Sequence, residues 1–188
     1  MIRFLSSAIL ISCSAFSTLT SASDIEKALE GYKLGAGDVI NISVYDEEDL
    51  SLEVRIGLSG QISYPLLGDV AVSGLSPKQL EDKLVSGLKG PYLIDPSVTV
   101  SIEEYRPFYV IGEVKKPGGY PFHPGLTVDK AISISGGFTE RASKSSIFVV
   151  HDDGKSQSKR SENEDKEAVK LFDVIQPGDV ITVEQSFF

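Results

Sequence analysis

The stretch YKLGAGDVINISVY, residues 32–45, decides where the folded part of this 188-residue chain begins. Two glycines and an aspartate precede a segment in which Ile40, Ile42 and Val44 alternate with polar residues. Glycine and aspartate are residues that tight turns favour. Apolar residues at every second position are typical of a strand with one buried face. The stretch therefore predicts a turn that leads into a half-buried β-strand.

The same four residues, Gly-Asp-Val-Ile, occur at 37–40 and again at 178–181. In both places we expect a turn followed by a strand. We also expect the side chains of Asp38 and Asp179 to accept hydrogen bonds from nearby backbone N–H groups. The repetition is explained equally well by an internal repeat and by a shared preference for Gly-Asp in turns, and both interpretations stay open.

The rest of the chain shows short strands interrupted by two helices. Ser76, followed by Pro77 and Gln79, is the pattern of a capped helix start, and Thr127 is expected to cap a second, shorter helix. We predict an α+β fold with two small strand-rich units, 32–103 and 104–184. Beyond the first strand, alternating or apolar runs predict strands at residues 52–58, 62–64, 98–102, 108–111, 147–150, 171–174 and 178–183. The polar stretch 152–166 is predicted to be a mobile hairpin loop.

Residues 1–22 have the layout of a signal peptide, with a basic start, an apolar run and small residues before a cleavage site after Ala22. A rival interpretation is a lipoprotein signal, because Leu10–Cys13 resembles a lipobox. Residues 23–31 are predicted to be a linker. Both interpretations take the protein out of the cytoplasm, and Cys13, the single cysteine, leaves no disulfide within the chain.

Composition narrows the function further. The chain is 41% hydrophobic and 24% charged, which is ordinary for a globular protein, and its net charge of −9 argues against binding to nucleic acid. Arg106, Lys115 and Lys116 form a basic cluster, for which two interpretations are open: a solvated turn, which we favour, or a contact for an anionic sugar or a neighbouring acidic subunit. The acidic run 46–49 lacks the spacing of a calcium loop, and Tyr64, Tyr92, Tyr105 and Tyr109 are candidates for packing or for stacking on sugar rings. No cofactor and no metal site is expected.

The sequence carries no known catalytic motif. His123 and His151 are the two histidines, and neither lies in a paired pattern. We therefore expect a protein that is not an enzyme, although a pair of carboxylates brought together only by folding stays an open alternative. An outer-membrane barrel is not favoured, because its strands would repeat in segments of about ten residues.

Taken together, the motifs resemble the bacterial polysaccharide biosynthesis/export proteins. The first unit is similar to the export domain, and the second is similar to the soluble-ligand-binding β-grasp domain, abbreviated SLBB. The motif residues, to which we assign structural roles in turns, are Gly35, Gly37, Asp38, Pro65, Gly112, Glu113, Pro117, Gly118, Gly136, Gly137, Gly178 and Asp179.

The resemblance implies a periplasmic protein of a Gram-negative cell, associated with the outer membrane, that forms a homo-oligomeric conduit for a capsular or exopolysaccharide. It also implies contact with an inner-membrane polysaccharide co-polymerase. Only five residues follow Val183, whereas a membrane-crossing helix needs about 20. We therefore expect a separate outer-membrane protein to supply the channel. The alternative is a stand-alone periplasmic protein that binds a glycan or another small ligand.

Overall fold

The structure is a computed structural model that describes residues 31–151 and 166–186. The predicted leader, all of the predicted linker except Gly31 and all of the predicted mobile loop except Lys166 lie outside the described residues. Within them the chain alternates short strands with two α-helices, so the predicted α+β class is confirmed. No helix in this part of the chain is long and apolar enough to cross a bilayer.

The first unit is built around a three-stranded antiparallel sheet of order β2-β1-β5, accompanied by a two-stranded hairpin, β3-β4. Its elements are β1 (Val39–Val44), a 3₁₀ turn (Glu48–Leu50), β2 (Leu52–Arg55), β3 (Gln61–Tyr64), β4 (Gly68–Ala71), α1 (Pro77–Leu88) and β5 (Val98–Glu104). The predicted alternation holds along β1, where Ile40, Ile42 and Val44 are buried. They meet the apolar face of α1 in one hydrophobic cluster.

Helix α1 begins as the sequence predicts. The Ser76 hydroxyl accepts a hydrogen bond from the Gln79 backbone, and the Gln79 side chain accepts one from the Ser76 backbone, which is a complete capping box. Leu80, Leu84 and Leu88 lie fully buried on one face of the helix. Capping and burial together fix where the helix starts and which face it turns to the sheet.

The second unit is a five-stranded sheet of order β7-β6-β10-β8-β9, in which β10 runs parallel to β6 and antiparallel to β8. Its elements are β6 (Phe108–Gly112), β7 (Gly118–Tyr120), α2 (Val128–Ile134), β8 (Ala142–Val150), β9 (Lys166–Ala168) and β10 (Val180–Gln185). Val128, Ala131 and Ile132 of α2 are buried in a hydrophobic cluster with the inward-facing residues of β6, β8 and β10.

Three local predictions need correction. The predicted strand at 171–174 is a turn, because the Asp173 carboxylate accepts a hydrogen bond from the Lys170 backbone. The predicted strand at 52–58 ends at Arg55, and Leu58 is exposed in the following turn. Thr127 occupies the cap position of α2, but its hydroxyl donates to the Asp129 carboxylate instead of accepting from the helix backbone.

Candidate functional site

A buried polar cluster lies where the two units join, in the short connection between β5 and β6. The backbone N–H of Arg106 donates to Asp38 Oδ1 at 2.8 Å, and its guanidinium Nη1 lies 3.3 Å from Asp38 Oδ2. The same Nη1 donates to the Tyr32 hydroxyl at 3.0 Å and to the Lys33 carbonyl at 3.3 Å. Arg106 is only 5% exposed and Asp38 is fully buried. We call Tyr32, Asp38 and Arg106 the junction cluster.

The turn before β1 prepares Asp38 for this role. Asp38 Oδ2 accepts a hydrogen bond from the Gly35 backbone at 2.8 Å, which confirms the predicted bond between an aspartate and its own turn. Gly37 has a φ of 100°, a left-handed conformation that favours glycine. Gly35 serves a different purpose, because a Cβ there would overlap the guanidinium of Arg106. The turn is therefore shaped to admit the arginine.

Tyr32 completes the junction cluster from the start of the first unit. Its hydroxyl donates to Asp38 Oδ2 at 2.6 Å while accepting from Arg106. Burial and the negative charge of Asp38 raise the pKa of Tyr32 well above its usual range, although the charge of Arg106 acts in the opposite direction. The phenol is consequently held neutral, as a donor to the carboxylate.

An aromatic chain runs beside the polar contacts. The ring of Tyr105 meets Tyr32 edge-on with centroids 5.3 Å apart, and it meets Phe122 in the same manner at 5.4 Å. Tyr105 packs against the hydrophobic clusters of both units. Edge-to-face pairs of this kind contribute about 0.5–1.5 kcal/mol beyond their buried area. Polar and aromatic contacts therefore join the two units at the same place.

The second Gly-Asp turn repeats the local geometry of the first. Asp179 is fully buried, and its Oδ2 accepts from the Gln176 backbone at 2.7 Å, so the predicted bond is confirmed here as well. Its Oδ1 lies 2.9 Å from His151 Nδ1. Burial raises the pKa of Asp179, whereas the Gln176 N–H, His151 and the charge of Arg106 lower it.

His151 extends this second turn toward the surface. It directly follows β8, its side chain is 40% exposed, and its Nε2 lies 3.5 Å from Oε2 of Glu167 on β9. Sequence reasoning found no pattern around His151, because one partner, Asp179, lies in the turn before β10 and the other, Glu167, lies on β9. The pairing of β8 with both β9 and β10 brings the three residues together. That pairing is a property of the fold, and no local sequence pattern indicates it.

The three residues of the predicted basic cluster differ in their exposure to solvent. Arg106 is buried and bonded inside the chain, which leaves no free surface for a glycan or a second subunit, so that interpretation is corrected for this residue. Lys115 and Lys116 are exposed. Their backbone N–H groups donate to the carbonyls of Gly137 and Ser135, at 3.0 and 2.9 Å, which holds both lysines beside the end of α2.

The other motif residues lie at chain reversals or strand ends. Pro65 is in the β3–β4 hairpin, next to Leu66, whose φ of 66° is unusual for a bulky residue. Glu113 follows β6 and accepts a hydrogen bond from the Thr139 hydroxyl. The remaining positions are Gly112 at the end of β6, Pro117 and Gly118 at the start of β7, and Gly136 and Gly137 after α2.

The four candidate tyrosines differ in accessibility. Tyr64 is buried and donates its hydroxyl hydrogen to the Leu50 carbonyl, and Tyr105 serves the junction. Tyr92 and Tyr109 are 49% and 45% exposed, so each presents part of its ring to solvent.

The acidic residues 46–49 line an open hollow. Within residues 31–151 and 166–186, no group of three or more metal-ligating side chains is assembled.

Comparison with protein-family models divides the chain in the same order as the fold. Residues 26–103 match the model described as polysaccharide biosynthesis/export protein, and residues 107–159 match the SLBB domain. Arg106 lies between the two matched segments. The junction cluster therefore ties the connection between the two matched segments to the first of them.

Curated relatives are similar over parts of the chain. The exopolysaccharide production protein ExoF of Rhizobium meliloti is 35% identical over 120 residues, which is 56% of this chain and 28% of that protein. The EPS I polysaccharide export outer membrane protein EpsA of Ralstonia nicotianae is 24% identical over 181 residues, 82% of this chain and 47% of its own. The polysialic acid transport protein KpsD of Escherichia coli is 30% identical over 104 residues, 54% and 18% respectively. The chain spans less than half the length of each of these relatives.

Proposed function

The chain belongs to the polysaccharide biosynthesis/export protein family, and on that premise we propose that it is a component of a polysaccharide export machine. It acts in the periplasm of a Gram-negative cell, in association with the outer membrane, and forms a homo-oligomeric conduit or scaffold along which a capsular or exopolysaccharide moves. The observation that carries the proposal is the succession of an export domain and an SLBB domain around one buried junction.

The junction supports this role through the geometry that an assembly requires. A closed ring repeats one interface many times, so each subunit must present its surfaces at a constant angle. The buried bonds of Arg106 and the packing of Tyr105 hold the two units of a subunit together. A subunit of constant shape is consequently available for repetition around an axis.

The surface chemistry is compatible with a moving polymer. A translocated glycan must bind weakly enough to keep sliding, which disfavours a deep apolar pocket. The net charge of −9 repels acidic polymers from the walls, and the exposed Lys115 and Lys116 offer a local cationic contact for the glycan or for a neighbouring subunit. The protein makes and breaks no covalent bond of its cargo in this proposal.

Two further partners complete the proposed machine. An inner-membrane polysaccharide co-polymerase delivers the chain and controls its length. A separate outer-membrane protein provides the channel. The family resemblance implies the co-polymerase, and the relatives named for export, production and transport of polysaccharides support the pathway as a whole.

Deletion of the gene tests the proposal. We expect surface polysaccharide to fall and periplasmic polysaccharide to rise, and the intact gene supplied in trans to restore both. Unchanged secretion would contradict the proposed function.

Cross-linking in intact cells tests the assembly separately, since a conduit yields a ladder of oligomers. A monomer that binds the glycan would instead favour the stand-alone binding protein, for which the half-exposed ring of Tyr109 is a candidate contact.

A further inference from the structure

A histidine between two carboxylates lies at the surface of the second unit, away from any role in the proposed export. His151 Nδ1 is 2.9 Å from the fully buried Asp179, and His151 Nε2 is 3.5 Å from Glu167 Oε2. The side chains of His151 and Glu167 are 40% and 68% exposed, so small ions reach them from solvent. His151 follows β8, Glu167 lies on β9 and Asp179 precedes β10. The pairing of these three strands sets the spacing of the side chains.

The hydrogen bond to Asp179 decides which ring nitrogen carries the proton. A carboxylate only accepts, so Nδ1 must donate to it. In a neutral imidazole the other nitrogen, Nε2, then carries a lone pair and no hydrogen. That nitrogen lies 3.5 Å from a carboxylate oxygen of Glu167. Two acceptors at this distance repel each other, so the contact needs either a proton on Nε2, which makes an ion pair, or a metal cation between the two atoms.

The separation suits a metal ion. Zinc binds imidazole nitrogen and carboxylate oxygen at about 2.0–2.2 Å, and two such ligands at a tetrahedral angle stand about 3.4 Å apart. The observed separation between Nε2 and Oε2 is 3.5 Å. In metal sites the ligating histidine commonly donates its second ring N–H to a carboxylate, which is the relation of His151 to Asp179.

We propose that His151 and Glu167 form a surface site for a divalent transition cation of the zinc class, with water completing the coordination. Asp179 is a positioning residue that orients the imidazole. The mixed nitrogen and oxygen donors favour zinc over magnesium or calcium, which prefer oxygen alone. An ion bound there ties β9, at the edge of the sheet, to the end of β8. The inference does not rest on the proposed function.

The test titrates the full chain with zinc ions after removal of metals by a chelator. We expect a saturable rise in Tm and a change in the NMR signals of the His151 ring. His151→Gln and Glu167→Gln should each abolish both effects. Asp179→Asn should weaken zinc binding about 10- to 100-fold. Magnesium ions at equal concentration should leave Tm unchanged.

His123→Gln is the matched control, because His123 is exposed and lies in a different loop. This variant should bind zinc as the unaltered chain does. His151→Gln and Glu167→Gln each replace a side chain that is open to solvent, so we expect both variants to fold. Their Tm measured without metal checks this. Loss of zinc binding in His123→Gln, or equal binding in His151→Gln, would overturn the proposal. It is also overturned if zinc does not bind and the His151 ring responds only to pH, since a proton then fills the gap.

Discussion

The two Gly-Asp turns share a local structure and differ in what surrounds them. In each, the aspartate side chain is fully buried and accepts a hydrogen bond from the backbone N–H three residues earlier. Asp38 faces the buried guanidinium of Arg106, a fixed charge, whereas Asp179 faces His151, which is 40% exposed. Identical turns thus serve a permanent junction in one unit and a solvent-accessible pair in the other.

Asp38→Asn is the substitution expected to destabilise the chain most. It keeps an oxygen that accepts from the Gly35 N–H but removes the negative charge. The variant then loses the buried ion pair between Arg106 and that carboxylate. Removing one partner of a buried ion pair costs about 3–5 kcal/mol. We expect the free energy of unfolding, measured with urea, to fall by that amount. Asp69→Asn, at an exposed aspartate, should change it by less than about 0.5 kcal/mol.

Gly35→Ala tests whether the first turn is shaped for the arginine. The added Cβ would overlap Nη1 of Arg106, which is held by Tyr32, Lys33 and Asp38 and has little room to move. Overpacking of this kind costs about 1–3 kcal/mol. Urea unfolding measures the loss. The control is Gly57→Ala, where nothing lies within 4 Å of the added Cβ, and a similar loss there would contradict the explanation.

Tyr32 gives the first turn a stability that depends on pH in the alkaline range. Because burial and Asp38 raise the pKa of Tyr32, the folded state holds the phenol proton more tightly than the unfolded state. This contribution to stability is complete below about pH 10, the unfolded pKa. It is lost as the pH rises further, by about 1.4 kcal/mol per pH unit.

Chemical unfolding at several alkaline pH values checks this. Tyr32→Phe should reduce the decline above pH 10 without abolishing it, because burial also raises the pKa of Tyr64 and Tyr105; the variant also loses the bond to Asp38. Tyr45→Phe, at a side chain 82% exposed, should keep the decline of the unaltered chain. An unaltered slope in Tyr32→Phe would show that another group controls the alkaline transition.

Asp179→Asn should have the smallest effect on stability. The amide oxygen still accepts from Gln176, and the weakened partner is a half-exposed histidine that water can solvate. We expect a loss of about 1 kcal/mol, the typical net contribution of one hydrogen bond. The same urea measurement, run beside Asp38→Asn, gives the contrast directly. Equal losses in the two variants would refute the distinction between the two turns.

Several parts of the fold were predictable because they depend on neighbours in sequence. The capping box of Ser76 and Gln79, the buried alternation of β1 and the bonds inside both Gly-Asp turns are confirmed. Each involves residues a few positions apart, where residue type and spacing are sufficient. The predicted strand at 171–174 was wrong because apolar residues there form a turn that packs on the start of α2.

The site was less predictable than the fold. Arg106 looked like a surface charge beside Lys115 and Lys116, since nothing within several residues of it supplies a buried acid. Its partner Asp38 is 68 positions away. His151 and Asp179 are separated by 28 positions. Pairing over such distances depends on which strands become neighbours, and local patterns do not carry that information.

The sequence by itself determined the turn chemistry, the strand and helix periods, and the family. Only the tertiary structure decided that one buried aspartate receives a permanent cation and the other a histidine open to solvent. The physical reason is the separation in sequence over which each kind of interaction acts. Turn geometry and helix capping act over three or four residues, whereas the environment of a buried charge is set by whichever strands and connections pack around it.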